Sequence, residues 1–120
     1  MKILDNNVKD GDIITLNESD LLIINTLYDS KYIYNVITFV SQNKKMYIGQ
    51  FCVFNYDYSK EWVEYNDNYI FFLSHINSKD ANMIDVLGIF DIKNKCLIKQ
   101  NKDELLTIYQ EEINQKVKIK

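Results

Sequence analysis

Short apolar segments rich in β-branched and aromatic residues constrain the fold of this chain most. Between residues 12 and 99 they alternate with clusters of Asn, Asp, Ser and Lys, the pattern of short strands joined by turns. The chain has no proline, and its three glycines are scattered. The pattern predicts strands near residues 12–17, 20–27, 31–40, 46–55, 69–75, 83–91 and 95–99.

Turn signals between these segments predict antiparallel neighbours. Residues 10–12 (DGD) predict a tight turn, because glycine permits the positive φ that such turns often need. Residues 29–30 and 41–45 should connect the next strands. Residues 93–94 predict a tight hairpin with Asn94 in the left-handed conformation. Such short connections favour antiparallel pairing.

Two segments indicate how the sheet is arranged. Residues 32–40 (YIYNVITFV) are apolar on both alternating faces, which predicts a strand in the middle of a sheet that is covered on both sides. Gly49 interrupts the following strand, and a glycine inside a strand often marks a bulge or bend. A bent strand is what a small barrel uses to close.

The last twenty residues change from the period of a strand to that of a helix. Asn101 lies three residues before Glu104, which resembles a capping box, and Asp103 suits the positive helix N-terminus, as Lys116 and Lys118 suit the negative end. The sequence therefore predicts a helix over about 102–116 that packs on the sheet. Its apolar stripe consists of Leu105, Leu106, Tyr109, Ile113 and Val117, with Ile108 at the margin.

The length of 120 residues predicts a single domain over residues 1–120. Its 47% hydrophobic content suffices for one core without metals or disulfides. Apolar runs are too short for a membrane helix, and the first residues carry no signal-peptide pattern. We therefore expect a cytoplasmic protein. Abundant Ile, Asn, Lys and Tyr are typical of an AT-rich genome.

The cysteine and histidine content excludes structural zinc sites. The chain has two cysteines, Cys52 and Cys96, and one histidine, His75, whereas such sites commonly use four Cys or His ligands. Both cysteines lie in apolar runs, which predicts buried thiols; a disulfide or a reactive thiol is the alternative. Neither a calcium-loop pattern nor a glycine-rich phosphate loop is present. The sequence predicts no metal and no cofactor.

Catalytic chemistry has little support in the sequence. His75 could pair with Cys52 or Cys96 across strands, but no orienting third group is visible. Asp57, Glu61 and Glu64 have the spacing of one helical turn, yet so small a chain has little material to wall a sugar cleft. We therefore expect a protein that is not an enzyme.

Nucleic-acid binding is the alternative function. Small barrels of the OB or Sm type present aromatic residues on which bases stack. The net charge here is −3, however, and every basic residue is a lysine, so the chain lacks the guanidinium fork that grips phosphates. A basic face could still form from Lys93, Lys95, Lys99 and Lys102.

Residues 54–72 (FNYDYSKEWVEYNDNYIFF) hold half of the chain's aromatic residues. Residues 69–73 predict a strand with Phe71 or Phe72 in the core. Upstream, aromatic and acidic residues fit no clean period of two, and Tyr58, Trp62 and Tyr65 would share one face of a short helix or turn. That face either docks on the core or binds a partner. The candidate partner-binding residues are Tyr56, Asp57, Tyr58, Glu61, Trp62, Glu64, Tyr65 and Asp67.

These observations predict an α+β fold: a strongly bent antiparallel sheet or small β-barrel of six to seven strands, with one C-terminal helix packed on it. Tyr and Trp are enriched at interface hot spots, and acidic neighbours suit a basic partner. The predicted function is a non-catalytic protein-binding module, an acidic inhibitor or accessory protein of the phage or mobile-element type. Its expected partner is a basic protein, and a nucleic-acid-binding protein is one candidate. A strand edge could also pair with a second copy.

Overall fold

The computed structural model describes residues 2–4, 8–53, 61–75 and 84–118. They form an α+β structure, which confirms the predicted class. The elements are β1 (Lys2–Leu4), β2 (Asp12–Thr15), β3 (Asp20–Asp29), β4 (Tyr32–Ser41), β5 (Lys44–Val53), β6 (Glu61–Tyr65), β7 (Tyr69–His75), β8 (Ile84–Asp91), β9 (Cys96–Leu97) and α1 (Lys102–Lys118).

The strands belong to two antiparallel sheets rather than to one. A four-stranded sheet has the order β2-β3-β4-β5, and a five-stranded sheet has the order β1-β6-β7-β8-β9. The chain divides accordingly into two compact units, residues 8–58 and residues 1–7 with 59–120. Among the described strands neither sheet closes on itself, so the expected barrel is not formed, and nine strands replace the predicted six or seven. The single domain stays a prediction.

The four-stranded sheet is a meander in which each strand pairs with its neighbour in sequence. Gly11 has a φ of 87° in the predicted turn before β2, a conformation that favours glycine. Gln42 and Asn43 both have positive φ, 51° and 66°, between β4 and β5. Two central residues of positive φ match the right-handed twist of the flanking strands, which is why so short a loop suffices. The predicted antiparallel pairings of 12–53 are therefore confirmed.

Burial alternates along β2, β4 and most of β3, as expected when one face is covered. Leu22, Ile24 and Ile37, at the centre of the covered face, are 1% exposed or less. β4 lies between β3 and β5, as its sequence predicts. Its other face is different, because Val36, Thr38 and Val40 are only partly buried. Two-sided cover of β4 is thus not seen within the described chain.

Gly49 lies at an irregularity of β5, as predicted. The β4–β5 register shifts between Ile37 and Thr38, whose partners are Gly49 and Tyr47, so that Ile48 is the extra residue of a bulge. Gly49 has a φ of 153°.

The five-stranded sheet contains two strands that the sequence pattern did not predict, β1 and β6. β6 pairs with β7 through Trp62 and Leu73, and with β1 through Val63 and Leu4. The prediction of a helix or turn at Trp62 and Tyr65 is therefore wrong. Each face of β6 carries both acidic and apolar residues, which hides its period of two. Trp62 and Tyr65 lie on opposite faces.

Helix α1 packs on one face of this sheet, which confirms the predicted helix and its placement. Leu105 and Tyr109 are buried among Phe71, Leu73 and Ile89. The other predicted stripe residues whose side chains are described, Leu106, Ile108 and Ile113, are partly buried against this cluster. The opposite face of the sheet is also buried, since Ile70, Phe72 and Phe90 are 1% exposed or less.

The predicted cap of α1 is confirmed. Asn101 Oδ1 accepts a hydrogen bond from the Glu104 backbone N–H at 2.9 Å. In return, Glu104 Oε1 accepts a hydrogen bond from the side-chain amide of Asn101, Nδ2, at 2.7 Å. The first turn thereby satisfies one of the four N–H groups that have no partner inside a helix.

The β8–β9 connection differs from the predicted tight hairpin. It spans residues 92–95, and Lys95 rather than Asn94 adopts positive φ, 56°. Asn94 instead donates through its backbone and its side chain to the Asp91 carboxylate, at 3.1 and 2.8 Å. The short asparagine side chain therefore closes the turn by hydrogen bonding.

Candidate functional site

The candidate partner-binding segment lies partly within the described structure. Tyr56, Asp57 and Tyr58 fall outside the described residues. The remaining five lie on β6 and the turn that follows it. Glu61, Trp62, Glu64 and Tyr65 are partly buried, and Asp67 is exposed.

Trp62 is held on three sides yet is not fully enclosed. Its indole N–H donates to Glu64 Oε2 at 2.7 Å along the same face of β6. Its ring packs against the cluster beneath α1 and lies 4.8 Å from the imidazole of His75, centroid to centroid, at an angle of 45°. The sequence left open whether Trp62 belongs to the core or to the surface. In the structure it lies at the margin of the core.

Glu64 connects the strand to the helix. One carboxylate oxygen accepts the Trp62 N–H, and the other accepts the Tyr109 hydroxyl at 2.9 Å. Tyr109 is buried, and burial together with this hydrogen bond raises the pKa of its phenol well above the usual value near 10. Hydrogen bonds to a carboxylate are stronger than neutral ones, so Glu64 fixes the positions of two aromatic side chains.

The turn after β6 adds acidic groups near the helix. Asn66 accepts the backbone N–H groups of Asn68 and Tyr69, each at 2.8 Å, and donates to Glu112 at 3.2 Å. Burial raises the pKa of the Tyr69 phenol, and the negative charges of Asp91 and Glu112 raise it further. This end of the sheet thus presents several carboxylates.

The Cys96–His75 pair considered from the sequence is not assembled. Cys96 is the register partner of Asp91, whereas His75 is the partner of Ile84 at the opposite end of β8. At about 3.3 Å per residue this separates them by roughly 23 Å. Cys96 is exposed rather than buried, because β9 is a two-residue edge strand, and Cys52 is partly buried; both are free thiols.

The carboxylate hypothesis also changes, because Glu61 and Glu64 are on a strand and point to opposite faces. Asp57, the third acid of that set, is outside the described residues. Among the residues that the structure describes, no group of three or more His, Cys, Asp or Glu side chains is placed to hold a metal ion.

The four lysines proposed as a basic face are all exposed. Lys102 forms an ion pair with Asp85, Nζ to Oδ2 at 2.9 Å, which neutralises part of that charge. Within the described ranges, no helix has the length and apolarity needed to cross a membrane.

A second surface emerges only from the structure. Among the residues that the structure describes, the six exposed large hydrophobic side chains all lie in the four-stranded unit: Ile13, Leu27, Tyr28, Tyr32, Met46 and Tyr47. By strand register, Ile13, Leu27, Tyr32 and Tyr47 point to the same face as Val36. We call this the outer face of the four-stranded sheet. The sequence signal for it was the two-sided apolarity of β4, which we interpreted as internal cover.

Comparison with protein-family models, with curated proteins and with solved structures yields no match.

Proposed function

We propose that this protein is a non-catalytic binding module, an inhibitor or accessory protein that acts on a basic protein partner through the segment around Trp62. The observation that supports this proposal most is the way Trp62 is held. The hydrogen bond to Glu64 and the packing beneath α1 fix the ring, while part of it remains accessible. An aromatic side chain fixed before binding loses little entropy when a partner covers it.

The charge around this anchor favours a basic partner. Glu64 lies on the same face of β6 as Trp62, Glu61 lies on the opposite face, and the exposed Asp67 lies in the next turn. Carboxylates at the rim of an interface steer encounter with a positively charged surface and repel acidic competitors. Proteins that bind nucleic acid carry such positive surfaces, so an inhibitor of a nucleic-acid enzyme fits this charge distribution.

Direct nucleic-acid binding is the rival function, and one observation favours it. Tyr32, Tyr34 and Tyr47 lie on the outer face of the four-stranded sheet, where bases could stack on them. The charge of that face argues against it. Its strand residues include one acid, Asp29, and one base, Lys45, whereas affinity for nucleic acid depends on several positive charges along the backbone path.

The experiment is affinity capture from the native host with mass spectrometry, followed by titration of the captured partner. We expect a basic partner whose binding weakens with added salt. Asp67→Lys should weaken binding by about tenfold, since it replaces attraction by repulsion. The matched control is Glu18→Lys, which makes the same charge change at an exposed turn of the four-stranded unit and should leave affinity nearly unchanged.

A partner with an acidic contact surface, or equal losses in the two variants, contradicts the proposal. A salt-dependent shift of labelled single-stranded DNA or RNA at micromolar protein favours the rival. That shift should then persist in Asp67→Lys and be stronger, because the added lysine attracts phosphates.

A further inference from the structure

The outer face of the four-stranded sheet is mostly apolar yet at least partly exposed, and its uncharged polar residues are Thr15, Asn25, Thr38 and Gln50. No described strand residue on it is buried, although Leu21, Ile23, Val36 and Val40 form its centre. Ile13 is 60% exposed and Tyr47 is 63% exposed. Monomeric proteins rarely leave a contiguous apolar area of more than a few hundred Å² in water.

The size of this face reaches the lower limit for a specific but weak interface. Strand residues advance about 3.3 Å each and strands lie about 4.8 Å apart, so three ten-residue strands and the shorter β2 cover roughly 500 Å². Two copies placed face to face enclose about 1,000 Å², where specific interfaces begin.

The few charges on the outer face are arranged so that the outer faces of two copies are complementary in charge. Its charged strand residues are Asp29, at the end of β3, and Lys45, near the start of β5. The register places them at opposite ends of the sheet, since Asp29 pairs with Tyr32 and Lys45 with Val40. A two-fold axis in the interface plane, perpendicular to the strands, therefore brings the aspartate end of one copy over the lysine end of the other.

The edges of the sheet are less suited to pairing than its face. β2 has four residues, and β5 begins with Lys44 and Lys45 and is interrupted by the bulge at Gly49. Short strands, lysines and bulges are the devices by which proteins protect an edge strand. The apolar residues of the outer face have no such protection.

We propose that the outer face of the four-stranded sheet is an isologous interface, and that its occupant is the same face of a second copy of this chain. This inference is separate from the proposed function, because it uses residues of the other compact unit. It replaces the strand edge as the site of self-association.

The test is the oligomeric state of the full chain, measured by sedimentation equilibrium over a wide range of protein concentration. We expect a monomer–dimer equilibrium for the natural sequence. Leu27→Lys should weaken the dimer by about a hundredfold, because it places an ammonium group in an apolar interface. Ile13→Lys should act in the same direction on a neighbouring strand.

Tyr28→Lys provides the matched control. Tyr28 follows Leu27 on β3 and is 74% exposed, but it points to the opposite face, so this variant should dimerise like the natural chain. Circular dichroism of each variant establishes that it is folded. β3 is an inner strand, so edge pairing should survive Leu27→Lys.

Three outcomes overturn the proposal. One is a natural chain that stays monomeric at every concentration. Another is a dimer that Leu27→Lys leaves intact, which assigns association to a strand edge. The last is binding of labelled RNA to the monomer that Leu27→Lys abolishes, which assigns the tyrosine-bearing face to nucleic acid.

Discussion

The central strands of the two sheets, β7 and β4, have similar apolar sequences but different surroundings. In β7 the consecutive residues from Ile70 to Leu73 are all 1% exposed or less, so both faces of the strand are covered. In β4 Ile37 is fully buried, while its neighbours Val36 and Thr38 are partly exposed. Apolar residues on both faces of a strand therefore predict that both faces are covered, but they do not identify what covers each face. For β7 the helix covers one face; for β4 we propose a second copy.

The largest expected loss of stability comes from truncating a side chain in the core beneath α1. Phe71→Ala should lower the free energy of unfolding by about 3–5 kcal/mol, because it empties a site beneath α1. It also removes an edge-to-face contact with Tyr109, at 5.1 Å between ring centroids. Urea unfolding followed by circular dichroism measures this cost.

Leu27→Ala is the comparison on the outer face of the other sheet. Measured at concentrations where the chain is monomeric, it should cost less than about 1 kcal/mol, since the side chain is 46% exposed. Equal costs for the two substitutions would remove the distinction between the covered sheet and the open face.

The expected stability cost of truncating Trp62 lies between those of Phe71→Ala and Leu27→Ala. Trp62→Ala should cost about 2 kcal/mol, through partial loss of burial and of the hydrogen bond to Glu64. Tryptophan emission should be partly accessible to a soluble quencher, and Trp62 is the chain's only tryptophan. A loss of about 4 kcal/mol with full protection from quenching assigns Trp62 to the core and contradicts its role as an accessible anchor.

Substitution of Tyr109 has a modest effect at neutral pH and a distinct one in alkali. Its folded-state pKa is raised, so the folded chain keeps the phenol proton while the unfolded chain loses it near pH 10. This contribution to stability is fully present below about pH 10 and is lost progressively as the pH rises above that value. Urea unfolding at a series of alkaline pH values measures the decline.

Tyr109→Phe removes this decline and costs about 1 kcal/mol at neutral pH, because Glu64 loses a hydrogen-bond donor. Tyr47→Phe is the control, since its phenol is 63% exposed. The assignment fails if Tyr109→Phe leaves the alkaline profile unchanged.

Local sequence signals predicted the elements that local interactions determine. The helix, its Asn101 cap and its Leu105 and Tyr109 stripe depend on residues three or four positions apart. The turns at Gly11 and at Gln42–Asn43 likewise depend on a few adjacent residues. These predictions were confirmed because the information lies within a short window.

Strands that form through pairing with distant segments could not be predicted from local sequence patterns. β1 is three residues long and is defined by its partner β6, about sixty residues later, so its own sequence carries no pattern. β6 was missed because its faces are not uniformly apolar. Trp62 shares its face with the acidic Glu64, to which it donates a hydrogen bond. The division into two sheets follows from these long-range pairings. The aromatic and acidic composition of the Trp62 segment is visible in the sequence, but the connection that Glu64 makes between β6 and the helix is not.

The pairing of β1 with β6 has a consequence for modularity. The whole four-stranded meander is inserted between two adjacent antiparallel strands, since Leu4 and Val63 are register partners. Partners in such a pair have Cα atoms about 5 Å apart, close enough to be joined by a two-residue hairpin turn. The topology thus permits the meander to be excised, leaving β1 followed directly by β6. In chain order, the four-stranded meander is thus an insertion within the five-stranded sheet.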